Sequence, residues 1–219
     1  MKILALDAAL GPFSVAVLAG DRVVFDRSHG NDALEAGLGR VAAVLDRTGL
    51  KLRAIDRIAV GLGPGSFTGI RIALSFAKSL AYAAGLPLVG VSSYDAVTPG
   101  DAPLPVLAIV RGRTGVICAR LRDRHGDRFA CGAVASVTER LLGAGGERGE
   151  ITLAGNTEDV VSEIGGRGFV VRILRAPSDI PAITIATIAR ERTPAASLHA
   201  LVPDYGEVPA VTTPKERLS

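Results

Sequence analysis

The chain is poor in the residues from which most catalytic and metal sites are built. Its 219 residues include no tryptophan, one methionine, two cysteines and three histidines, and aromatic residues make up 4%. The histidines, His29, His125 and His199, are too widely spaced for two of them to bind one metal from a single helix face. No Gly-x-Ser-x-Gly elbow occurs, and neither cysteine has a recognisable catalytic partner. The sequence therefore predicts no catalytic residue, no metal ion and no cofactor.

Further absences concern location. Cys118 and Cys131 lie far from any Cys-x-x-Cys spacing, so we expect buried, reduced thiols in a cytosolic protein rather than a metal site. No run of about 18 uninterrupted apolar residues occurs, which argues against a transmembrane helix. The apolar run Ile3–Leu6 is too short for a signal peptide, and Asp7 interrupts it. We expect a cytoplasmic protein that makes no membrane contact.

Apolar residues, by contrast, are plentiful. They make up 48% of the chain against 21% charged residues, enough for a full core in one large or two small domains. The net charge of +3 is too small to indicate nucleic-acid binding by itself. One local excess of positive charge is opposed only by Asp123 and Asp127. It consists of Arg111, Arg113, Arg120, Arg122, Arg124 and Arg128. Two interpretations stay open, a surface for RNA phosphates and the solvated face of a hairpin.

The most distinctive segment is a glycine-rich turn, Gly-Pro-Gly-Ser-Phe-Thr-Gly-Ile-Arg at residues 63–71. It lies between the apolar run Ile58–Gly61 and the apolar-periodic segment Ile70–Ala84, which predicts a strand, a turn and a helix. Backbone N–H groups converge at such a helix N-terminus and can bind an anion. The spacing, however, is neither that of a Walker loop nor Gly-x-Gly-x-x-Gly.

Two interpretations of this turn follow. One is a weak anion-binding or nucleotide-like site, formed by Asp7, Gly63, Gly65, Ser66, Thr68, Gly69 and Arg71. The other is a tight structural turn in which Ser66 or Thr68 caps the helix. In that case we expect Arg71 to tie the first helical turn to a carboxylate.

Two helices predicted in the first half carry more apolar surface than one sheet requires. The first begins near Asn31 or Asp32 and ends at Gly49; the second spans residues 69–84. The apolar arc of the second covers roughly 200° at ~100° per residue, whereas a helix lying on a sheet needs about 100°. Two explanations stay open. Either a partner protein contacts these helices, or the second helix packs between the sheet and the neighbouring helix of the same chain. We place at or just beneath a partner interface Leu34, Leu38, Val41, Leu45, Ala73, Ala77, Leu80 and Ala81.

The order of the predicted elements indicates an α/β fold with two similar lobes. Three strands, a helix, a strand, a helix and a strand fill residues 1–102, and a comparable round follows Pro103 and Pro105. This order is that of half an actin-like, Hsp70-like (ribonuclease H-like) fold. We therefore expect a partner-binding N-terminal lobe at residues 1–102 and a C-terminal lobe at residues 103–219.

The string GPGSFTGIR, with the segments Ile72–Ala81 and Gly85–Ser93 that follow it, resembles the TsaB (YeaZ) family. This family supplies accessory subunits for the synthesis of threonylcarbamoyladenosine at position 37 of tRNA. The resemblance is dense over Lys2–Ser93; beyond it, only Leu153–Asn156 and Pro203–Tyr205 look familiar. It implies a non-catalytic, actin-like subunit that binds the catalytic subunit TsaD through its two N-terminal helices. It also implies association with TsaE and tRNA through the complex, and a homodimer when the subunit is alone.

The chain departs from related proteins where they bind ligands. Family members have Asp-Thr-Ser after the first strand, whereas this chain has Asp7-Ala8-Ala9 and so lacks the hydroxyl groups. Two roles stay open for Asp7: accepting a hydrogen bond or a metal-bound water, and capping backbone N–H groups of the Ala8–Gly11 turn. TsaD carries His-x-x-x-His on the helix that corresponds to residues 32–48, which contain no histidine here. Two alternatives to the accessory role are a free-standing actin-fold ATPase or small-molecule kinase, and an RNA-binding module.

Overall fold

Two five-stranded sheets of the same topology dominate the molecule. The computed structural model describes residues 1–30, 33–143 and 149–206, with the backbone alone for residues 33 and 34. In each sheet, a central strand has an antiparallel hairpin on one side and two parallel strands on the other, so the two sheets share one strand order. The predicted fold class, α/β with two similar actin-like lobes, is confirmed.

The first sheet forms from strands that are apolar at nearly every position. Its strands are β1 (Lys2–Asp7), β2 (Ser14–Ala19), β3 (Arg22–Arg27), β4 (Arg57–Gly63) and β5 (Leu88–Ser92). The central strand, β1, pairs antiparallel with β2 and parallel with β4. Helices α1 (Ala33–Thr48) and α2 (Phe67–Ala84) pack against one face of this sheet. A strand covered on both faces needs apolar side chains at consecutive positions, which explains the uninterrupted runs.

The second sheet repeats this arrangement. A short helix, α3 (Ser93–Val97), leads into β6 (Val106–Arg111), β7 (Ile117–Asp123) and β8 (Gly126–Gly132). After α4 (Val134–Leu142) come β9 (Glu150–Gly155), α5 (Glu158–Gly166) and β10 (Val170–Leu174). Helices α4 and α5 cover one face, and α3 contacts β6 on the other. Helix α3 was not predicted from the sequence, because five residues are too few to show a helical period.

The last helix, α6 (Pro181–Ala189), follows the strands of the second sheet but packs against the first. Ile185 is fully buried against that sheet, and the Ala182 N–H group donates a hydrogen bond to Ser14 Oγ at 3.3 Å. The first sheet is therefore covered on both faces, by α1 and α2 on one side and by α6 on the other. The division of the chain at residue 102 stays a prediction, since α6 lies beyond it in sequence. No helix among the described residues has the length and apolar character to cross a bilayer.

The prediction of reduced thiols was wrong. Cys118 of β7 and Cys131 of β8 lie directly opposite each other and form a disulfide bond. The register of this hairpin is set by the tight turn between Asp123 and Gly126. A separation of 13 residues does not reveal this register, because one residue more or less in the turn would place the two side chains on opposite faces.

Candidate functional site

The glycine-rich turn joins β4 to α2, and its polar groups are used within the chain. Helix α2 begins at Phe67, two residues before the predicted start. Ser66, one of the two predicted caps, accepts a hydrogen bond at its Oγ from the Gly69 N–H group at 3.2 Å. The Ser66 N–H group donates to the Ala9 carbonyl at 2.9 Å. The other candidate cap, Thr68, lies exposed in the first turn of the helix.

The glycines of this turn allow a close approach to the backbone that follows β1. A Cβ atom on Gly69 would lie 1.8 Å from the Ala8 carbonyl oxygen, and one on Gly65 would lie 2.1 Å from that of Ala9. Gly63, with φ +101°, lies in the same way against the carbonyl oxygen of Asp204. The turn is therefore packed against protein backbone on several sides, which supports the structural interpretation over the anion-binding one.

Arg71 lies beside the ring of Phe67 rather than on a carboxylate. Its guanidinium carbon is 5.4 Å from the ring centroid, within the range of a cation–π contact. The expected tie between Arg71 and a carboxylate is not among the contacts of the described residues. Arg71 thus stabilises the start of α2 through an aromatic neighbour.

Asp7, at the end of β1, is completely buried and caps the next turn, which is the structural one of its two predicted roles. Its Oδ2 accepts a hydrogen bond from the Leu10 N–H group at 3.1 Å, whereas its Oδ1 has no hydrogen-bond partner. Gly61 leaves room for this carboxyl group, since a Cβ atom there would lie 2.0 Å from Oδ1. Burial raises the pKa of Asp7 from its usual 3.8 to about 6. In the described residues, no group of three His, Cys, Asp or Glu side chains could hold a metal ion.

The raised pKa of Asp7 makes folding stability depend on pH. Its contribution to the free energy of unfolding is fully present below pH 3.8 and is lost as the pH rises through about 6. We expect Asp7→Asn to remove this loss, so that the variant is more stable than wild type by roughly 2 to 3 kcal/mol at pH 8. At pH 4 the two proteins should differ little.

Urea unfolding at pH 4 and pH 8 measures the difference in the free energy of unfolding. Asp21→Asn, at an exposed position, is the control. An equal effect of Asp7→Asn at both pH values would contradict the prediction.

Most of the predicted partner contacts lie in the chain's own core. Ala73, Ala77 and Ala81 face the first sheet from α2 and are at most 1% exposed. Val41 and Leu45 of α1 belong to the same buried cluster. These residues lie beneath the outer surface of the two helices, so the tight approach that their small side chains permit is to the chain's own sheet.

Two of the predicted contact residues remain near the surface. Leu38 is 49% exposed, and Leu80 is partly buried against the core. The side chain of Leu34 is outside the described part of the chain. Of the predicted contact residues, Leu38 and Leu80 can therefore touch a partner, together with exposed residues beside them on α1 and α2.

These neighbours form a surface that we call the α1–α2 face. Arg40 pairs with Asp26 of β3 at 3.5 Å, so Leu38, about 200° away around α1, lies on the flank towards α2. There Phe76 of α2 lies against Gly37, whose Cβ position is 2.6 Å from the ring. The α1–α2 face comprises Leu38, Gly39, Ala42, Ala43, Asp46, Ile72, Ser75, Phe76, Ser79, Leu80, Tyr82 and Ala83. Six of these twelve residues are Gly, Ala or Ser, whose small side chains permit another helix to approach closely.

The outer side of α2 carries polar as well as apolar side chains. Ser75, Ser79 and Tyr82 are exposed there, and Tyr82, at 84%, has the amphipathic side chain that interfaces favour.

The arginine cluster is largely neutralised by neighbouring carboxylates. Arg120 is buried at the centre of the hairpin, with only 5% of its side chain exposed. The ion pairs are Arg111–Asp159 at 3.1 Å, Arg120–Asp95 at 2.5 Å, Arg122–Asp127 at 2.7 Å and Arg128–Asp123 at 2.9 Å. This pairing supports the interpretation as a hairpin face rather than a surface for RNA phosphates.

A cleft of about 1200 Å³ separates the two sheets. The glycine-rich turn forms one wall, through Ser66 and Thr68, and the disulfide forms part of the other. Segment 204–206 also lines the cleft, and the ring of Tyr205 lies 4.6 Å from that of Phe67. The chain's own C-terminal segment therefore occupies space beside the turn that was considered for an anion.

Comparison with known proteins adds a family to this geometry. Residues 34–190 match the family model described as "TsaD: tRNA N6-adenosine threonylcarbamoyltransferase". Escherichia coli TsaB, described as a tRNA threonylcarbamoyladenosine biosynthesis protein, is 35% identical over 58% of this chain and 58% of its own length. TsaB of Haemophilus influenzae is 34% identical over 44% of this chain and 42% of its own length. The chain thus spans about half the length of the curated relatives it matches.

A solved structure shows the same fold over nearly the whole chain. YeaZ from Pseudomonas aeruginosa superposes with a TM-score of 0.69 and covers 93% of this chain and 99% of its own length. The identity of 24% is low, so this similarity supports the fold alone. The fold extends over both sheets, whereas the family model ends at residue 190, within the turn after α6.

Proposed function

The chain belongs to the family that the TsaD model describes and, within it, to the TsaB (YeaZ) group, and on this premise we propose that it is an accessory subunit for threonylcarbamoyladenosine synthesis. In this proposal the chain binds TsaD and supports the transfer of threonylcarbamoyl to N6 of adenosine 37 in tRNA. It contributes no catalytic residue, metal or cofactor of its own. Contact with TsaE and tRNA occurs through the complex in the cytoplasm, and the same surface pairs with a second copy when TsaD is absent.

The observation that carries this proposal is the α1–α2 face. It exposes Leu38 and Tyr82 beside small residues on two neighbouring helices, whereas the apolar residues beneath it are already covered by the sheet. Such a surface suits another helix pair better than a small ligand, because close backbone approach requires small side chains over several turns. TsaD is the partner that the family premise supplies.

The features of the turns agree with an accessory role. The turn after β1 offers Ala8 and Ala9 where a phosphate site needs hydroxyl groups, and Oδ2 of the buried Asp7 accepts a hydrogen bond from the Leu10 N–H group. The glycine-rich turn is packed against that same backbone. Both turns therefore stabilise the first lobe, which presents the α1–α2 face.

We expect Leu38→Glu to weaken binding to TsaD roughly 10- to 100-fold, since a carboxylate would be buried without a partner. The matched control is Ile173→Glu on β10, because Ile173 is 54% exposed, close to the 49% of Leu38, and lies on the second sheet. Titration calorimetry with purified TsaD measures the affinity, and mass spectrometry of tRNA nucleosides measures the modification. Both variants should melt like wild type.

Two outcomes distinguish an error in the interface from an error in the function. If Leu38→Glu binds TsaD normally, the α1–α2 face is not the interface. If wild-type protein neither binds TsaD nor raises the level of modified tRNA, the accessory function itself is wrong.

A further inference from the structure

We propose that the Cys118–Cys131 disulfide is a redox-responsive clasp for segment 201–206, whose residues 204–206 line the cleft between the sheets, and that a dithiol reductant opens it. This segment, which we call the strap, ends the described part of the chain. The inference concerns the isolated chain and does not depend on the proposed function.

The disulfide is placed for reaction from the cleft. Cys118 is 2% exposed and belongs to the buried cluster with Tyr94, whereas Cys131 is half-buried, and both line the cleft. Cys131 is the more exposed of the two residues, so we assign the attack of an incoming thiolate to its Sγ atom.

The strap contacts the glycine-rich turn and the disulfide together. The Asp204 N–H group donates a hydrogen bond to the Leu62 carbonyl at 2.7 Å, and Tyr205 stacks beside Phe67. Gly206, with φ +72°, lies on both sulfur atoms: a Cβ atom there would be 2.5 Å from Cys118 Sγ and 2.8 Å from Cys131 Sγ. No side chain fits at this position, so the strap depends on the space that the bonded sulfurs leave.

Opening of the clasp is an ordinary thiol–disulfide exchange. One thiolate of the dithiol attacks Cys131 Sγ, and the Cys118 sulfur leaves as a thiolate that takes up a proton. The second thiol of the reductant then attacks the mixed disulfide, releases Cys131 and closes the reductant's own disulfide. The protein disulfide gains two electrons and two protons, all supplied by the dithiol, which is oxidised.

Reduction changes the surface on which Gly206 lies. Two sulfur atoms that are no longer bonded must move apart to van der Waals separation, and each then carries a hydrogen atom. Gly206 and Pro64 occupy the adjoining space, since the Cβ position on Gly206 is also 3.2 Å from Pro64 Cβ. The strap therefore loses its packing against the two sulfur atoms. The hydrogen bond from the Asp204 N–H group to the Leu62 carbonyl is lost with it.

Hydrogen–deuterium exchange followed by mass spectrometry tests the clasp on the full chain, with and without dithiothreitol. We expect exchange of peptides that cover residues 201–206 to accelerate roughly tenfold on reduction, as expected for loss of a hydrogen bond and its packing. Peptides of β1 and β4 should keep their exchange rates. Alkylation with iodoacetamide should label both cysteines only after reduction.

Two variants complete the test. Cys118→Ser with Cys131→Ser should exchange rapidly in the strap whether or not dithiothreitol is present. Gly206→Ala should do the same with the disulfide intact, because its Cβ atom would displace the strap from the sulfurs. The proposal is overturned if the cysteines alkylate without reduction, if the strap exchanges at the same rate after reduction, or if β1 and β4 lose protection in parallel with it.

Discussion

Asp95→Ala is expected to lower the free energy of unfolding by about 3–5 kcal/mol, because it leaves a buried arginine without its carboxylate. Asp95 of α3 accepts hydrogen bonds from Arg120 of β7, at 2.5 Å, and from Arg192, which follows α6. Only 5% of the Arg120 side chain is exposed, and the remaining carboxylate near it, that of Asp127 at 4.0 Å, is already held by Arg122. This cluster ties both sheets and α6 together.

Thermal and urea unfolding measure the effect. Although burial raises the pKa of Asp95, the hydrogen bonds from Arg120 and Arg192 outweigh it and hold that pKa below its usual value. The stabilisation is therefore present above pH 3.8 and is lost as the pH falls through the lowered pKa, so the difference between variant and wild type should shrink in acid.

The control for this prediction is an exposed ion pair. Glu150 and Arg172 lie 2.6 Å apart, and about half of each side chain is exposed, so Glu150→Ala should cost less than about 1 kcal/mol. A loss from Asp95→Ala no larger than that from Glu150→Ala would show that Arg120 finds water or another partner.

Gly69→Ala is expected to destabilise the protein by about 3 kcal/mol or more, since one methyl group must enter a space filled by backbone. The Cβ atom would lie 1.8 Å from the Ala8 carbonyl oxygen and 2.7 Å from its carbon. Neither atom can move without shifting the turn that follows β1. Gly69 also belongs to the first turn of α2, so the shift would displace the start of this helix.

A second helical glycine provides the opposite case. Gly39 of α1 has open space around its Cβ position, so Gly39→Ala should raise the stability by roughly 0.5–1 kcal/mol through helix propensity. Unfolding curves of the two variants should therefore move in opposite directions. A Gly69→Ala variant that unfolds like wild type would mean that the turns after β1 and β4 are not packed as described.

Local sequence patterns were sufficient for most elements of the first half, with α3 as the exception. The strands at Lys2–Asp7 and Ser14–Ala19 and the helix of Ala33–Thr48 follow from apolar runs, a Gly-Asp turn and a helical period, all within short windows. The family resemblance was carried by the same segment, since GPGSFTGIR is a contiguous string. The cap at Ser66 also depended on its near neighbours alone.

Contacts between residues that are far apart in the sequence could not be predicted from such short stretches. A wide apolar arc on α2 could not show which of its residues faced the sheet, because burial of Ala73 and Ala77 depends on where β1 and β4 lie. The pairing of Asp95 with Arg192, 97 residues apart, depends on where α6 docks.

The sequence by itself therefore determined the family, most of the element order and the repeated α/β topology, since these depend on short-range periodicity and on a contiguous motif. Only the tertiary structure decided that α6 covers the first sheet, that Cys118 meets Cys131, and that Leu38 remains on the surface while Ala81 does not. The physical reason is that burial and register are properties of packed pairs of elements. Whether a side chain is buried, bonded or exposed depends on which element the rest of the chain packs against it.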